Sequence, residues 1–421
     1  MKRVLSICVV LSFAACNRQA PEAVPEVVIV APIDDGSIPP PRPSTRRLPT
    51  NAIADGVKYL IAHQSEDGAW RSDVYATFKD GTALTPFAIT ALQDASDAGL
   101  HSPAADAAIK KGIAWLAKLS RKDGTIDPGP DGLDYPLYTA TLAIKVYSHV
   151  SAHDFLVARD GWVKYLKERQ LTEKLGWKPG DKQFGGWGYC RVIPKKPEPN
   201  VISPPLIESN LSATLFALDA LKTAGELDAS TAKAAVIFVR SCQNWPRPGP
   251  LEGPTASAIV RDGGFHFIYA DPTRNKAGVG ASETPEIRYF HSYGSTTSDG
   301  FRALALCCFP EDADRRDDAK YWLISHFNAD THPGKYVPAH EPNREAVYYY
   351  YAASVAKAFR DHMVTLPDDR DWADELSREL IRRQKPDGSW VNPIELVREN
   401  DPIVATCNAI SALATCNLSR P

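Results

Sequence analysis

The sequence predicts an all-α protein, a closed double ring of about six inner and six outer helices over residues 51–421. Three observations predict it. A short motif, Gln64-Ser65-Glu66-Asp67-Gly68-Ala69-Trp70, returns near the far end as Gln384-Lys385-Pro386-Asp387-Gly388-Ser389-Trp390. Between those copies, amphipathic helix patterns alternate with helix patterns that are apolar nearly all round. The two best copies lie at opposite ends of the chain, where an open superhelix has atypical caps. Their likeness predicts that the first and last repeats are neighbours.

Weaker copies stand between the two: Asp123-Gly124-Thr125-Ile126, Gly185-Gly186-Trp187, Asp262-Gly263-Gly264-Phe265 and a degenerate Pro333-Gly334-Lys335-Tyr336. The interval is roughly 55–75 residues, longer than most solenoid repeats. Each residue type has a local reason. Glycine supplies the backbone conformation that ends a helix, and aspartate before it favours the turn. The aromatic covers the end of the helix pair, and Gln64 and Gln384 reach backbone groups freed there.

The first helix places Val57, Leu60, Ile61 and Gln64 on one face. Similar amphipathic stretches are Ala107–Leu119, Phe155–Arg169, Thr231–Cys242, Asp317–Phe327 and Trp372–Gln384. The apolar stretches are Leu84–Leu92, Tyr138–Val146, Leu211–Leu221, Phe301–Cys308, Ala346–Phe359 and Ile403–Leu413. A helix apolar on every face is buried on every face. None is long enough to span a bilayer, so protein encloses each one, and they form the inner ring.

The N-terminal part differs. Met1-Lys2-Arg3 is basic, Val4 to Phe13 is a short apolar run, and Ala14-Ala15-Cys16 follows. That pattern reads as a signal peptide over residues 1–16 ending at a lipidated Cys16, as in a bacterial envelope lipoprotein. Residues 17–50 are rich in proline and read as an extended tether, which at about 3 Å per residue reaches roughly 90 Å. A membrane partner is therefore expected through the lipid anchor, facing the periplasm or the cell surface. The 421 residues carry a net charge of −3, which argues against nucleic acid. Six cysteines remain beyond Cys16. An oxidising compartment permits disulfides, and the sequence leaves their pairing open.

The Gln-x-x-Asp-Gly-x-Trp motif between paired helices resembles the repeat of the terpenoid cyclase and protein prenyltransferase toroids, the squalene–hopene cyclase and prenyltransferase β-subunit group. The resemblance covers roughly residues 51–416. Glu208-Ser209-Asn210-Leu211-Ser212-Ala213-Thr214 and Tyr293-Gly294-Ser295-Thr296-Thr297-Ser298-Asp299-Gly300 look like segments of prokaryotic squalene-cyclase-like proteins of unassigned function. The resemblance implies an α/α toroid with a central cavity.

In such a ring the inner helices all start at one mouth, where their partial positive charges gather. The polar residues opening them are the candidate site. They include Tyr135 and Tyr138, Glu208 and Asn210, then His291, Tyr293, Ser295, Thr296, Thr297 and Asp299, and finally Arg344, Glu345, Tyr348 and Tyr349. Thr82, Ser212 and Asp401 read instead as helix caps. The cyclases protonate an alkene with an Asp-x-Asp-Asp acid, and this chain has no such run. The prenyltransferases hold zinc with a pattern including Asp-x-Cys, also absent. No metal and no cofactor are expected. The leading expectation is a toroid binding a small-molecule or lipid-like ligand, apolar and isoprenoid-like. One alternative is an enzyme with Asp299 or Glu208 as its acid. Another is a polysaccharide-active enzyme using Glu208, Asp299 and Glu345, with Trp187 and Tyr189 as sugar platforms.

Overall fold

The computed structural model describes residues 48–129, 133–150, 153–245, 262–268, 272–280 and 289–419. The expected leader ending at Cys16, and the chain from there to residue 47, lie outside the described residues. Helix α1 (Pro49–Ala62) takes in Pro49 and Thr50, which the sequence assigns to the tether. Proline is suited to a first helical position, because no intrahelical bond needs its missing N–H.

The helices then alternate as expected. Outer α1, α3 (Pro103–Leu116), α5 (His153–Lys167), α7 (Ala229–Ser241), α9 (Ala313–His326) and α12 (Trp372–Arg383) interleave with inner α2 (Leu84–Asp97), α4 (Pro136–Ser148), α6 (Leu211–Thr223), α8 (Gly294–Cys307), α11 (Tyr348–Asp361) and α13 (Pro402–Leu418). A single turn, α10 (Pro342–Ala346), precedes α11. Among the described residues the only strands are a two-residue antiparallel pair, β1 (Val279–Gly280) with β2 (Tyr289–Phe290). Each inner helix packs on the next, and α13 packs back on α2, so the ring is closed.

Two inner helices begin or break where the sequence pattern does not show it. Helix α8 begins at Gly294, seven residues before the apolar run that marks it in the sequence. Its first turns are buried although they are made of hydroxyl residues. Those hydroxyls donate to carbonyls instead of meeting water: Thr297 to Tyr293 O (2.9 Å), Ser298 to Gly294 O (2.9 Å) and Thr296 to Phe265 O (2.7 Å). The stretch Ala346–Phe359 is broken at Val347, whose backbone leaves the helical region at ψ 27°.

The repeat turns act as clips. Gln64 Nε2 donates to Gly68 O in its own turn and to Ala108 O on the next outer helix, each at 2.9 Å. The same double bond recurs for Gln170, Gln243 and Gln384. The aromatic fixes two more elements. Trp70, Trp187 and Trp390 donate their indole N–H back to Leu60, Leu166 and Leu380, at the ends of α1, α5 and α12. Their backbone N–H groups bond Thr85, Thr214 and Thr406, in the first turns of the inner helices that follow. Phe265 does the same with Thr297 (3.1 Å). The second turn has Ser120 and Ile126 in place of glutamine and tryptophan, and there the buried Ser120 and Thr139 hydroxyls lack hydrogen-bond partners.

Closure uses the last clip. Gln384 Nε2 bonds Ala52 O on α1 at 2.9 Å. Gly388 has φ +90° and sits so close to α1 that a Cβ there would lie 2.5 Å from Asp55 O. Only glycine fits both the turn and the contact.

Candidate functional site

Every inner helix follows a repeat turn, so the six N-termini share one mouth. Asp299, in the second turn of α8, is fully buried. Its carboxylate accepts hydrogen bonds from Ser212 Oγ on α6 (2.8 Å), and from Tyr350 OH (2.7 Å) and Ser354 Oγ (2.5 Å) on α11. Burial raises its pKa. The bonds from Ser354, Tyr350 and Ser212 and the nearby Arg302 guanidinium pull the other way without overcoming it. Asp299 is thus a buried acid whose pKa is raised by burial, surrounded by hydroxyls.

An aromatic arc leads to it. Phe78 meets Tyr135 at 5.3 Å between centroids, and Tyr135 meets Tyr138 at 6.1 Å. Tyr138 stacks on Tyr189 (5.1 Å) with their hydroxyls 2.7 Å apart, and it meets Phe216 edge-on at 5.0 Å. Phe216 on α6 then stacks on Tyr350 of α11 at 6.3 Å. Helix α8 stands between α6 and α11 in the ring, so this contact crosses the interior. Tyr138, Tyr189, Phe216 and Tyr350 are only half-buried despite lying within the ring. Burial lifts the Tyr138, Tyr189 and Tyr350 phenols above their usual range, so all three stay neutral donors.

One turn further along the inner helices lies a layer of charge. Lys145 Nζ on α4 bonds Asp219 on α6 at 2.9 Å, and Arg302 on α8 lies 3.8 Å from the same carboxylate. Lys357 on α11 lies 3.8 Å from Asp94 on α2, again past an intervening helix. Ser411 on α13 donates to Asp94. The layer therefore draws one residue from each inner helix.

The other sequence candidates are dispersed. Asn210 caps α6 by accepting from Ala213 N (2.9 Å). Glu208 pairs with Arg274 (3.3 Å), and Glu345 pairs with Arg383 on outer helix α12. Among the described residues no hydrogen bond joins either carboxylate to Asp299. Most of the His291–Thr297 and Arg344–Tyr349 cluster joins α8 and α11 to the neighbouring loops. His291 Nδ1 meets Lys335 O, Ser295 N–H donates to His332 Nε2 (2.8 Å), and Arg344 reaches His332 O (3.0 Å). Tyr293 packs on His332 and Tyr336. Thr296 and Thr297 hold the Phe265 turn, as described above. Tyr348 turns outward and donates to Ala329 O (2.7 Å), while Tyr349 packs edge-on against it. Trp187 is wholly buried as a clip, which removes it as a sugar platform, whereas Tyr189 joins the arc. Asp401 caps α13 as expected. Ser212 does not cap α6; it bonds Asp299. The cysteines form no disulfide among the described residues.

The sequence reading missed Tyr350, Ser354 and Phe216. No local pattern marks them, since each gains its meaning from a partner on another helix. It also missed Glu399, which is buried in the loop before α13. Glu399 accepts from the N–H groups of Tyr349 (2.9 Å) and Tyr350 (2.7 Å), the first turn of α11. Burial pushes its pKa up to about 8 against those bonds. A carboxyl raised above its unfolded value of 4.5 stabilises fully below that value, and the contribution is lost as pH rises through about 8. Chemical denaturation is therefore expected to show lower stability at pH 8 than at pH 5, by up to about 1.4 kcal/mol per unit in that window. Glu399→Gln is expected to flatten the slope.

No protein-family model matches the chain, and no curated protein matches it. Solved structures do. The chain is similar to the type II terpene cyclase MstE from Scytonema, in a structure of a variant with its substrate geranylgeranyl dihydroxybenzoate. The identity is 13% and the TM-score 0.54, over 88% of this chain and 98% of that one. It is also similar to cellobiose 2-epimerase from Spirochaeta thermophila DSM 6192, at 11% identity and TM-score 0.52, over 88% and 98% of the two chains. At these identities the likeness is one of fold. The chain has the α/α toroid fold that these structures share.

Proposed function

We propose that this protein is an envelope-anchored toroid that holds an apolar, isoprenoid-like ligand inside its inner ring, facing Asp299. The observation that carries this reading is the aromatic arc ending in the Phe216–Tyr350 stack beside a buried, hydroxyl-bonded acid. Aromatic faces bind apolar and electron-poor groups alike. The cyclase neighbour's isoprenoid substrate supports the choice of ligand class. The test is titration with geranylgeraniol, followed by aromatic fluorescence. One molecule per chain is expected, with affinity lowered at least about tenfold by Phe216→Trp, which fills the stack. Geranylgeraniol that fails to bind, or binds both forms equally, would refute the reading. The anchoring part has its own test. Cys16→Ser is expected to move the protein from the detergent phase to the aqueous phase on Triton X-114 partition, and a protein that partitions alike with either residue would refute anchoring.

A second reading, acid catalysis by Asp299 on the bound ligand, is favoured by its raised pKa. It predicts that the protein converts an added polyprenyl substrate and that Asp299→Asn abolishes conversion while retaining binding. The polysaccharide reading is not favoured, because Glu208 and Glu345 are each committed to an arginine.

A further inference from the structure

The aromatic arc has two ends, and one short loop holds both. At the first end Tyr75, in the loop before α2, meets Phe78 edge-on at 6.2 Å between centroids. From there the arc runs through Tyr135, Tyr138 and Phe216 to Tyr350 on α11. The ring order is α2, α4, α6, α8, α11, α13 and back to α2, so α13 fills the gap between those ends. The loop that opens α13 carries Arg398, Glu399 and Asn400.

Each of these three residues grips one end. The Arg398 guanidinium lies over the Tyr75 ring, 4.1 Å from its centroid, and faces the Tyr135 phenol. Asn400 Oδ1 accepts from Tyr75 OH. Glu399 takes the other end through the Tyr349 and Tyr350 N–H groups. Its carboxyl also accepts from Asn392 Nδ2 (3.2 Å), and its carbonyl from Asn392 N–H (2.9 Å). Asn392 Nδ2 further donates to Glu345 O on α10 (2.6 Å). The loop is thereby pinned on both sides of the break at Val347, which turns Tyr350 towards Asp299.

Arg398 is the least expected of the three. Its φ is +46°, in the left-handed region that favours glycine. Such backbone is costly for an arginine and persists only where the surroundings over-determine it. Arg398 is exposed and makes no ion pair among the described residues, so neither burial nor charge pairing accounts for it. Its hold on the first end of the arc does.

We propose that Arg398 and Glu399 are positioning residues for the ring interior. Glu399 sets Tyr350 on Asp299, and Arg398 sets Tyr75 and Tyr135. One loop thus fixes both ends of the aromatic surface on which a ligand lies. This rests on the ring-interior reading above.

Geranylgeraniol titration and urea unfolding of the same variants test it. Arg398→Gly relieves the left-handed backbone but adds freedom to the unfolded chain, so its urea midpoint is expected to match the wild type. Its affinity is expected to fall about fivefold, and Arg398→Lys, which keeps a cation over Tyr75, to recover most of that loss. Glu399→Ala leaves two N–H groups without an acceptor and is expected to lower affinity about tenfold. Glu399→Gln keeps an acceptor oxygen and is expected to bind as the wild type does. In a Tyr350→Ala background Glu399→Ala should cost nothing further. Arg398→Gly binding as tightly as the wild type would overturn the proposal and leave the ring-interior reading standing. Affinity that merely follows the urea midpoint across the variants would show a structural role and overturn it too. If geranylgeraniol binds no form, the ring-interior reading falls, and amide hydrogen exchange of the free chain decides the positioning roles. Arg398→Gly should then quicken exchange over residues 75–78, and Glu399→Ala over residues 348–352. Unchanged exchange in those segments would overturn the proposal as well.

Discussion

Trp390→Ala is expected to destabilise the protein by about 3–5 kcal/mol, the cost of removing a buried tryptophan from a packed core. Burial and two contacts make this position severe. The indole is fully buried and donates to Leu380 O at 2.7 Å. Its ring lies against Gly56 of α1, where a Cβ would come within 2.8 Å of it. The substitution therefore opens a cavity at the seam where the last repeat meets the first, and it orphans a carbonyl near the end of α12. Ile126 occupies the equivalent place in the second turn without any such bond, so Ile126→Ala is expected to cost less. Urea unfolding of the two variants compares them directly. Equal losses would mean that the seam is no more demanding than an ordinary turn.

Replacing Asp299 is expected to have sharply different effects according to what replaces it. Asp299→Leu leaves the Ser212, Tyr350 and Ser354 hydroxyls without their acceptor, at about 1–3 kcal/mol for each group that stays unsatisfied. The serines can turn to carbonyls of their own helices, as Ser298 does with Gly294 O, so a total of about 3 kcal/mol is expected. Asp299→Asn keeps an acceptor and cannot ionise. Because burial raises the Asp299 pKa in the fold, its carboxyl stabilises most when protonated. That contribution is complete below its unfolded pKa and is lost as pH rises through the folded one. The asparagine variant should therefore gain on the wild type as pH increases above about 4. Thermal melts of both variants from pH 4 to pH 8 measure this. An asparagine variant that instead loses ground with rising pH would show that the carboxylate is stabilised by its surroundings.

The ring was legible because its signals are local. Gly68 and Gly388 sit at left-handed turns, φ +102° and +90°, and Trp70 and Trp390 stop helices in the same way. The likeness of those two turns at opposite ends of the chain was enough to imply closure. The mouth was legible only as a neighbourhood. Asp299 stands out in the sequence as the one acid opening α8, but the residues around it do not. Tyr350 is one of four consecutive tyrosines, and helix geometry alone does not say which of them turns inward; the break at Val347 decides it. Thr297 and Tyr293 looked like site residues because they are polar and clustered, whereas their polarity serves the Phe265 clip and the start of α8.

The charged layer also leaves a signal in the sequence. Lys145, Asp219, Arg302 and Lys357 each interrupt an otherwise apolar pattern, and a lone charge in a helix that must be buried needs a partner. The partners could not be read because they lie on other helices, 74 residues apart for Lys145 and Asp219.

The central claim is that the inner ring is a ligand compartment. Native mass spectrometry of the purified chain, with lipid extraction of the same sample, tests it most directly. The account predicts a single apolar, isoprenoid-like molecule bound per chain, released by extraction and reduced in the Phe216→Trp variant. A chain that flies at its bare mass, yields no extractable molecule and takes up no added geranylgeraniol would contradict it.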